Sequence, residues 1–455
     1  MRIRITPGSS LSGELTVPGD KSIAHRWLIL SSTARGNSEI RGLPKSLDVR
    51  SMASCLAAAV PAARPGLEAW AGNGGPGPEP GGSTWNAATP QPSSRPLEVQ
   101  GEGREGMSTA SRSLDCGNSG TAMRLLVGLL AGAPFTSVLV GDPSLSTRPM
   151  ERVAEPLRAM GASVSTTDGH APMEVLGGAL RGVGYRTPVP TAQVKGAILL
   201  AGLVAEGLTT VEEPAPTRDH TERALRALGA PIRISGRTVS VSAFQHAGFA
   251  GAVPGDPSSA AFIVAAAALT GSEVTVTGVG LNPSRLHFLD VMTRMGVRTE
   301  TTVTHETVGE PVGDIWVSPG ATLAGTTITE NEIPLLIDEI PVLASLAAHA
   351  PQDTWFIHAA ELRFKESDRL AGIADGLRNL GGSAGAEGDD LVIAGGGLRG
   401  GRARSFGDHR MAMAFAVAAL AASGPSDIEG MEAADVSFPG FVEAIARLGA
   451  RVVVS

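Results

Sequence analysis

The sequence predicts an α/β chain made of two similar halves, each of three repeated units, and three observations carry that reading. A helix-period segment ending in Leu or Met, then Gly, a small residue and a β-like run, recurs at Met160-Gly161-Ala162, Leu228-Gly229-Ala230, Met295-Gly296-Val297, Leu380-Gly381-Gly382 and Leu448-Gly449-Ala450. Three of the four intervals are about 68 residues, and a near-constant period means a repeated supersecondary unit. Alanine-rich, nearly charge-free helices recur with it, at Ala122 to Ala131, Gln193 to Ala205, Ser259 to Thr270, Ile340 to Ala348 and Met411 to Ala422. Finally, Pro18-Gly19-Asp20-Lys21-Ser22 is echoed by Pro254-Gly255-Asp256-Pro257-Ser258, each before an apolar helix, which marks where the chain passes from one half to the other.

Each element has a physical reason. Met1 to Ile5 alternates as a β-strand and has no apolar signal core. Thr221 to Leu228 is amphipathic and stops at Gly229, which takes a positive φ at little cost; Pro231 to Ile234 then reads as a strand, as does Arg451 to Val454 at the end of the chain. The alanine-rich helices lack a polar face and must be buried on most sides. A sixth copy of the unit begins with Val49 to Ala59, but the next repeat glycine comes late, so composition assigns Pro61 to Ser113, with its Gly/Pro-rich centre, to a flexible surface insertion. The N-terminal strand joins the second half. The expected domains are 21–253, carrying the insertion at about 61–113, and 1–20 with 254–455.

Composition narrows the function. With 58 Gly and 31 Pro but 42% hydrophobic residues, the chain has many tight turns and a proper core. Thirty-seven basic against 45 acidic residues give a net charge of −8, which excludes nucleic acid and anionic membrane as partners of the whole surface. Two cysteines, Cys55 and Cys116, offer neither a disulfide framework nor metal-ligand spacing, so no metal is expected and a reducing cytoplasmic location fits. The longest apolar runs fall short of the roughly 20 residues that span a bilayer.

Against this acidic background the cations are grouped. Lys21, His25 and Arg26 follow the first Pro-Gly-Asp; Arg124 follows Gly117-Asn118-Ser119-Gly120-Thr121; Arg148 lies in Ser146-Thr147-Arg148-Pro149; Lys365 and Arg369 flank Glu366; His409 and Arg410 follow Gly407-Asp408. Most sit at helix starts, where backbone N–H groups and the helix dipole already favour anions, and Lys and Arg add contacts to phosphate or carboxylate. Singly, each has a bland explanation: a solvated charge, a turn brace, a cap. Five at equivalent places in a repeat indicate an anionic pocket. Among acids, Asp338 lies in an apolar run and could equally cap the next helix, Glu366 could be an ordinary salt-bridged face, and Asp219-His220 reads as a capping segment.

Six segments together resemble the 5-enolpyruvylshikimate-3-phosphate synthase family: Pro18 to Arg26, Gly117 to Arg124, Ser146 to Met150, Arg218 to Arg223, Lys365 to Arg369 and Gly407 to Met413. They stand in the family's order. The resemblance implies two domains, each of three βαβαββ units packed around buried parallel helices, with the active site in the interdomain cleft. It implies transfer of the enolpyruvyl group of phosphoenolpyruvate to shikimate 3-phosphate, releasing phosphate, by a cytoplasmic monomer without cofactor. By the same likeness Ser22, Arg26, Thr191, Ala192, Gln193, Asp338 and Lys365 match positions that hold shikimate 3-phosphate. Lys21, Gly120, Arg148, Gln193, Arg369 and Arg410 match the phosphoenolpyruvate site; Asn118 and His409 lie in the same signatures and join the binding set. Gly120 matches a glycine beside which glyphosate fits. The chain departs from the pattern at Thr191, at Glu361, where some members have Asn, and at Val436, where some have Lys.

Adding an alcohol across an enol ether needs a base for the hydroxyl and an acid for the methylene carbon. Asp338 is the candidate for the first, and Glu366, with Lys21, for the second. Two alternatives remain at this stage: the enolpyruvyl transferase acting on UDP-N-acetylglucosamine, which normally uses a loop Cys, and a non-catalytic anion-binding scaffold.

Overall fold

The computed structural model describes residues 1–72, 95–320 and 322–455. The chain divides into two compact units. The first comprises Gly19–Val253 with Glu306–Glu310, and the second Met1–Pro18, Pro254–His305 and Pro311–Ser455.

In the first unit the helices are α1 (Lys21–Ser32), α2 (Leu47–Ala59), α3 (Arg64–Gly72), α4 (Gly120–Leu130), α5 (Glu151–Ala159), α6 (Ala192–Gly202) and α7 (His220–Ala227). Three sheets accompany them. Arg35–Arg41 lies between Ala250–Ala252 and Leu97–Glu102; a second sheet runs Leu114–Asp115, Thr136–Val140, His170–Leu176, Ser163–Thr167; a third runs Ile232–Ser235, Thr238–Val241, Thr209–Glu212, Gly184–Arg186. The second unit repeats the plan with α8 (Pro257–Leu269), α9 (His287–Arg294), α10 (Ile333–Leu336), α11 (Ile340–Ala347), α12 (Arg369–Asn379), α13 (His409–Ala419) and α14 (Phe441–Leu448), and again with three sheets. Its N-terminal strand Arg2–Thr6 pairs antiparallel with both Ser426–Glu429 and Arg451–Val454.

The alanine-rich helices are the cores. Every residue of α11 and α13, and all but the last of α8, is buried. Small side chains let such helices approach closely: a Cβ at Gly128 of α4 would lie 2.4 Å from the carbonyl oxygen of Ala197 on α6. The five repeat glycines, Gly161, Gly229, Gly296, Gly381 and Gly449, all adopt positive φ between 82° and 120°, the conformation that ends one helix and turns the chain into the next strand.

The insertion expected over Pro61 to Ser113 is narrower than composition suggested. Arg64–Gly72 is helical with Leu67 and Trp70 buried, and Leu97–Glu102 pairs antiparallel with Arg35–Arg41, burying Leu97 and Val99. A Cβ at Gly66 would meet the Glu98 carbonyl oxygen, so helix and strand are packed backbone to backbone. Leu97 and Val99 alternate with Glu98 and Gln100, a period-two signal hidden by the Gly/Pro-rich run before it. The expected disordered tip, 73–94, lies outside the described residues.

The close helix contact yields a test. Gly128→Ala must push Ala197 backbone aside and should destabilise the chain by about 1–3 kcal/mol, seen as a lower midpoint in thermal unfolding. Gly184→Ala, where an added Cβ meets nothing within 4 Å, should change stability by no more than about 0.5 kcal/mol; equal midpoints for the two variants would contradict this packing.

Candidate active site

In the first unit the N-terminal ends of α1, α4 and α6 carry the predicted groups. Asp20 caps α1, accepting from the N–H of Ser22 at 2.7 Å and of Ile23 at 3.0 Å, and Ser119 caps α4, accepting from Ala122 N at 3.2 Å. These caps already occupy part of the helix N-terminus. Lys21 Nζ lies 3.0 Å from Asp48 Oδ2 on α2. His25 Nε2 is 3.2 Å from Ser119 Oγ, which ties α1 to α4.

Arg26, buried, donates from Nε to Thr221 Oγ1 at 2.6 Å, from Nη1 to Ser22 O at 2.8 Å and from Nη2 to Ala192 O at 3.4 Å. Desolvation lowers its pKa to about 10, with Glu222 acting in the opposite sense. Arg148 donates to Asn118 Oδ1 at 2.5 Å and to Asn118 O at 3.3 Å, and Asn118 in turn donates to Asp142 at 2.7 Å. Arg124 grips Gln193 Oε1 at 2.5 Å while Gln193 Nε2 donates to Thr121 Oγ1 at 2.8 Å. Thr191 is the N-cap residue of α6, without a side-chain cap bond. An added Cβ at Gly120 would lie 2.9 Å from Arg124 Nη1 and 3.5 Å from Arg148 Nη1, so this glycine keeps two guanidiniums in place.

In the second unit two of the predicted residues, Asp338 and Glu366, approach the guanidinium of a third, Arg369. Arg369 is fully buried; its Nε lies 2.8 Å from Asp408 Oδ2, Nη2 2.5 Å from Glu366 Oε2 and Nη1 3.5 Å from Asp338 Oδ1. Burial alone would lower its pKa, but Asp408, Glu366 and Asp338 outweigh that and raise it. Arg410 donates to Asp338 O at 3.0 Å and holds Nε 3.4 Å from Asp338 Oδ1. Asp338 and Glu366 keep about a fifth of their side chains exposed, 21% and 23%, whereas Asp408 has none.

Lys365 Nζ lies 3.6 Å from Glu361 Oε2. Although 26% of its side chain is exposed, loss of hydration lowers its pKa, with Arg369 acting the same way and Glu361 and Asp338 opposing. His409 is buried in the first turn of α13, which Asp408 caps through Arg410 N at 2.9 Å.

Glu339, not Asp338, is the N-cap residue of α11. Asp219 is the N-cap residue of α7, as the sequence suggests, while its carboxylate oxygens turn to Arg223 Nε at 2.9 Å. Sequence reasoning missed the carboxylates paired with two candidate residues, Asp48 with Lys21 and Asp408 with Arg369, and it missed the buried Lys195, whose Nζ lies 2.6 Å from Glu213 and 2.7 Å from Glu222 with all three buried. A lone lysine in an otherwise apolar helix was the available signal for the last. Among the described residues no group of three or more His, Cys, Asp or Glu could hold a metal ion, and no helix is long and apolar enough to cross a membrane.

The family model for EPSP synthase (3-phosphoshikimate 1-carboxyvinyltransferase) matches residues 5–60 and 91–445, passing over the Gly/Pro-rich run. The 3-phosphoshikimate 1-carboxyvinyltransferase of Acidithiobacillus ferrooxidans is 46% identical over 444 residues, 97% of this chain and 96% of that protein. The enzyme of the same name from Halorhodospira halophila is 47% identical over 451 residues, 98% of this chain and 96% of its own. The solved EPSP synthase of Acinetobacter baumannii superposes with a TM-score of 0.83 at 39% identity, covering 100% of this chain and 99% of that one. NikO from Streptomyces tendae, an enolpyruvyl transferase, shares the fold with a TM-score of 0.73 at 19% identity, covering 99% of this chain and 98% of its own. These likenesses agree with a two-domain α/β fold, and the chain is a member of the EPSP synthase (3-phosphoshikimate 1-carboxyvinyltransferase) family.

Proposed function

We propose that this chain transfers the enolpyruvyl group of phosphoenolpyruvate to the 5-hydroxyl of shikimate 3-phosphate, releasing phosphate, in the shikimate route to aromatic amino acids. The observation that carries the residue assignment is the buried Arg369 guanidinium with Glu366 and Asp338 at 2.5 and 3.5 Å: two partly exposed carboxylates are held at fixed places beside positive charge. Asp338 takes the proton of the attacking hydroxyl as its oxygen bonds to C2 of phosphoenolpyruvate. Glu366, with Lys21, serves proton delivery to the methylene carbon. The resulting tetrahedral intermediate loses that carbon's proton and expels phosphate, restoring the double bond.

The remaining cations bind and orient. Ser22, Arg26, Thr191, Ala192, Gln193 and Lys365 take shikimate 3-phosphate; Lys21, Gly120, Arg148, Gln193, Arg369 and Arg410 take phosphoenolpyruvate. Asn118 and His409 support the binding groups beside them. Two multiply charged substrates repel each other strongly at low dielectric, so fixed guanidiniums both neutralise them and hold reacting geometry. The enzyme acts as a cytoplasmic monomer on these two small molecules alone, with no role for nucleic acid or membrane.

The rival acceptor, UDP-N-acetylglucosamine, fits less well. That chemistry uses a reactive loop thiol, whereas Cys116 is buried, and its hydrogen bond with Cys55, together with burial, pushes the thiol pKa well up. Phosphate release measured with each acceptor in turn decides: turnover with the nucleotide sugar and none with shikimate 3-phosphate would refute the assignment.

Three further outcomes are expected. Asp338→Asn and Glu366→Gln should each lower kcat by about 10²–10⁴-fold with an unchanged circular dichroism spectrum; full activity in both would refute the roles given to these two carboxylates. Because the Lys365 pKa is lowered from its ordinary 10.5, its ammonium is lost, as pH rises, sooner than that of a free lysine. The alkaline limb of kcat/KM for shikimate 3-phosphate should therefore lie below pH 10.5 and move upward in Lys365→Arg. Gly120→Ala, by pressing on Arg124, should raise KM for phosphoenolpyruvate and weaken inhibition by glyphosate more than it alters KM for the acceptor.

A further inference from the structure

The echo of the first Pro-Gly-Asp motif has a use of its own. In the first unit Asp20 caps α1 and Ser22 follows it at the binding end of the helix. In the second unit Asp256 caps α8 in the same way, accepting from Ser258 N at 2.9 Å. Here the serine is turned inward. Ser258 is buried, its hydroxyl donates to Glu339 Oε1, and it accepts from Arg285 Nη2 at 2.8 Å; the same Nη2 lies 3.0 Å from Asp256 Oδ1.

Glu339, itself 2% exposed, directly follows Asp338 and opens α11, accepting from Leu343 N at 3.0 Å through its carbonyl. On the other side, Arg410 donates to the Asp338 carbonyl at 3.0 Å. The backbone that bears Asp338 is thus pinned both through its own carbonyl and through the side chain of the next residue. A carboxylate that must meet a hydroxyl at hydrogen-bond distance loses rate when its backbone shifts by about 1 Å.

We infer that Glu339, anchored by the Ser258 hydroxyl that Arg285 in turn contacts, is a positioning residue that sets the Asp338 carboxylate for proton abstraction. The inference rests on the reading of Asp338 as the base. It concerns orientation and not charge, because a Gln at 339 still offers an oxygen to Ser258, whereas Ala offers none.

The test compares Glu339→Ala, Glu339→Gln and Ser258→Ala in the full chain, with kcat expressed per folded enzyme from quantified phosphoenolpyruvate binding. Glu339→Ala keeps the contacts of Arg285 with Asp256 and with the Ser258 hydroxyl. The expected result is a kcat at least about tenfold lower in Glu339→Ala, KM for phosphoenolpyruvate within twofold, and recovery to within about threefold of the parent in Glu339→Gln. Should Glu339→Ala fail to fold, Ser258→Ala removes the same hydrogen bond, retains the cap to its N–H, and must show the same split. Unchanged kcat in the truncations, or equal loss in Glu339→Gln and Glu339→Ala, overturns the inference. If Asp338→Asn also kept full turnover, the base assignment itself would fall; a dead Asp338→Asn beside an active Glu339→Ala sinks only the positioning role.

Discussion

The constraint on which the rest depends is the close approach of helices that carry almost no side chain. Where Gly128 of α4 meets Ala197 of α6 there is no room for a methyl group, and α8, α11 and α13 are buried nearly throughout. Helices packed this tightly cannot carry charge along their length without burying it. Charge is therefore confined to their ends or compensated on the spot, as when Lys195 in α6 meets two glutamates. The sheets cover the outer faces, and the N-terminal turns are left as the places where polar chemistry is physically affordable.

Those turns have a second layer. Aspartates at 20, 256, 368 and 408 cap α1, α8, α12 and α13, each taking one or two of the free helix N–H groups. Beside them stand guanidinium groups, each oriented by a neighbour: Arg148 by Asn118, Arg124 by Gln193, Arg369 by Asp408. Asp408 shows the economy of the arrangement, since one carboxylate both caps α13 and fixes Arg369.

Much of this was legible in the sequence because it is periodic or local. Gly161, Gly229, Gly296, Gly381 and Gly449 announced the repeat, and each occupies a conformation that a side chain would disfavour. The grouping of Asp338, Glu366, Arg369 and Arg410 followed from family likeness, and the second unit links them in one run of ion pairs, Glu366 to Arg369 to Asp338 to Arg410. What stayed hidden was pairing at long separation. Ser258 and Glu339 are 81 residues apart, and Arg369 and Asp408 are 39 apart; no local pattern links them. The strand Leu97–Glu102 was lost for another reason, because alternation over a few residues is a weak signal beside a long Gly/Pro-rich run.

Charge balance in the second unit bears on the roles proposed for its carboxylates. Asp338, Glu366 and Asp408 pair with Arg369, and Asp338 also with Arg410. An incoming phosphate or carboxylate competes for the same N–H groups, and Asp408, fully buried and committed to both Arg369 and the α13 cap, is the least able to yield. Glu366, reached through a single nitrogen of Arg369 and partly exposed, is the most able. A carboxylate displaced from its guanidinium and left beside a bound anion favours its protonated form. On the proposed reading of Glu366 as the acid and Asp338 as the base, substrate binding loads the one at the step that uses it, while the other, held through its backbone on both sides, stays in place.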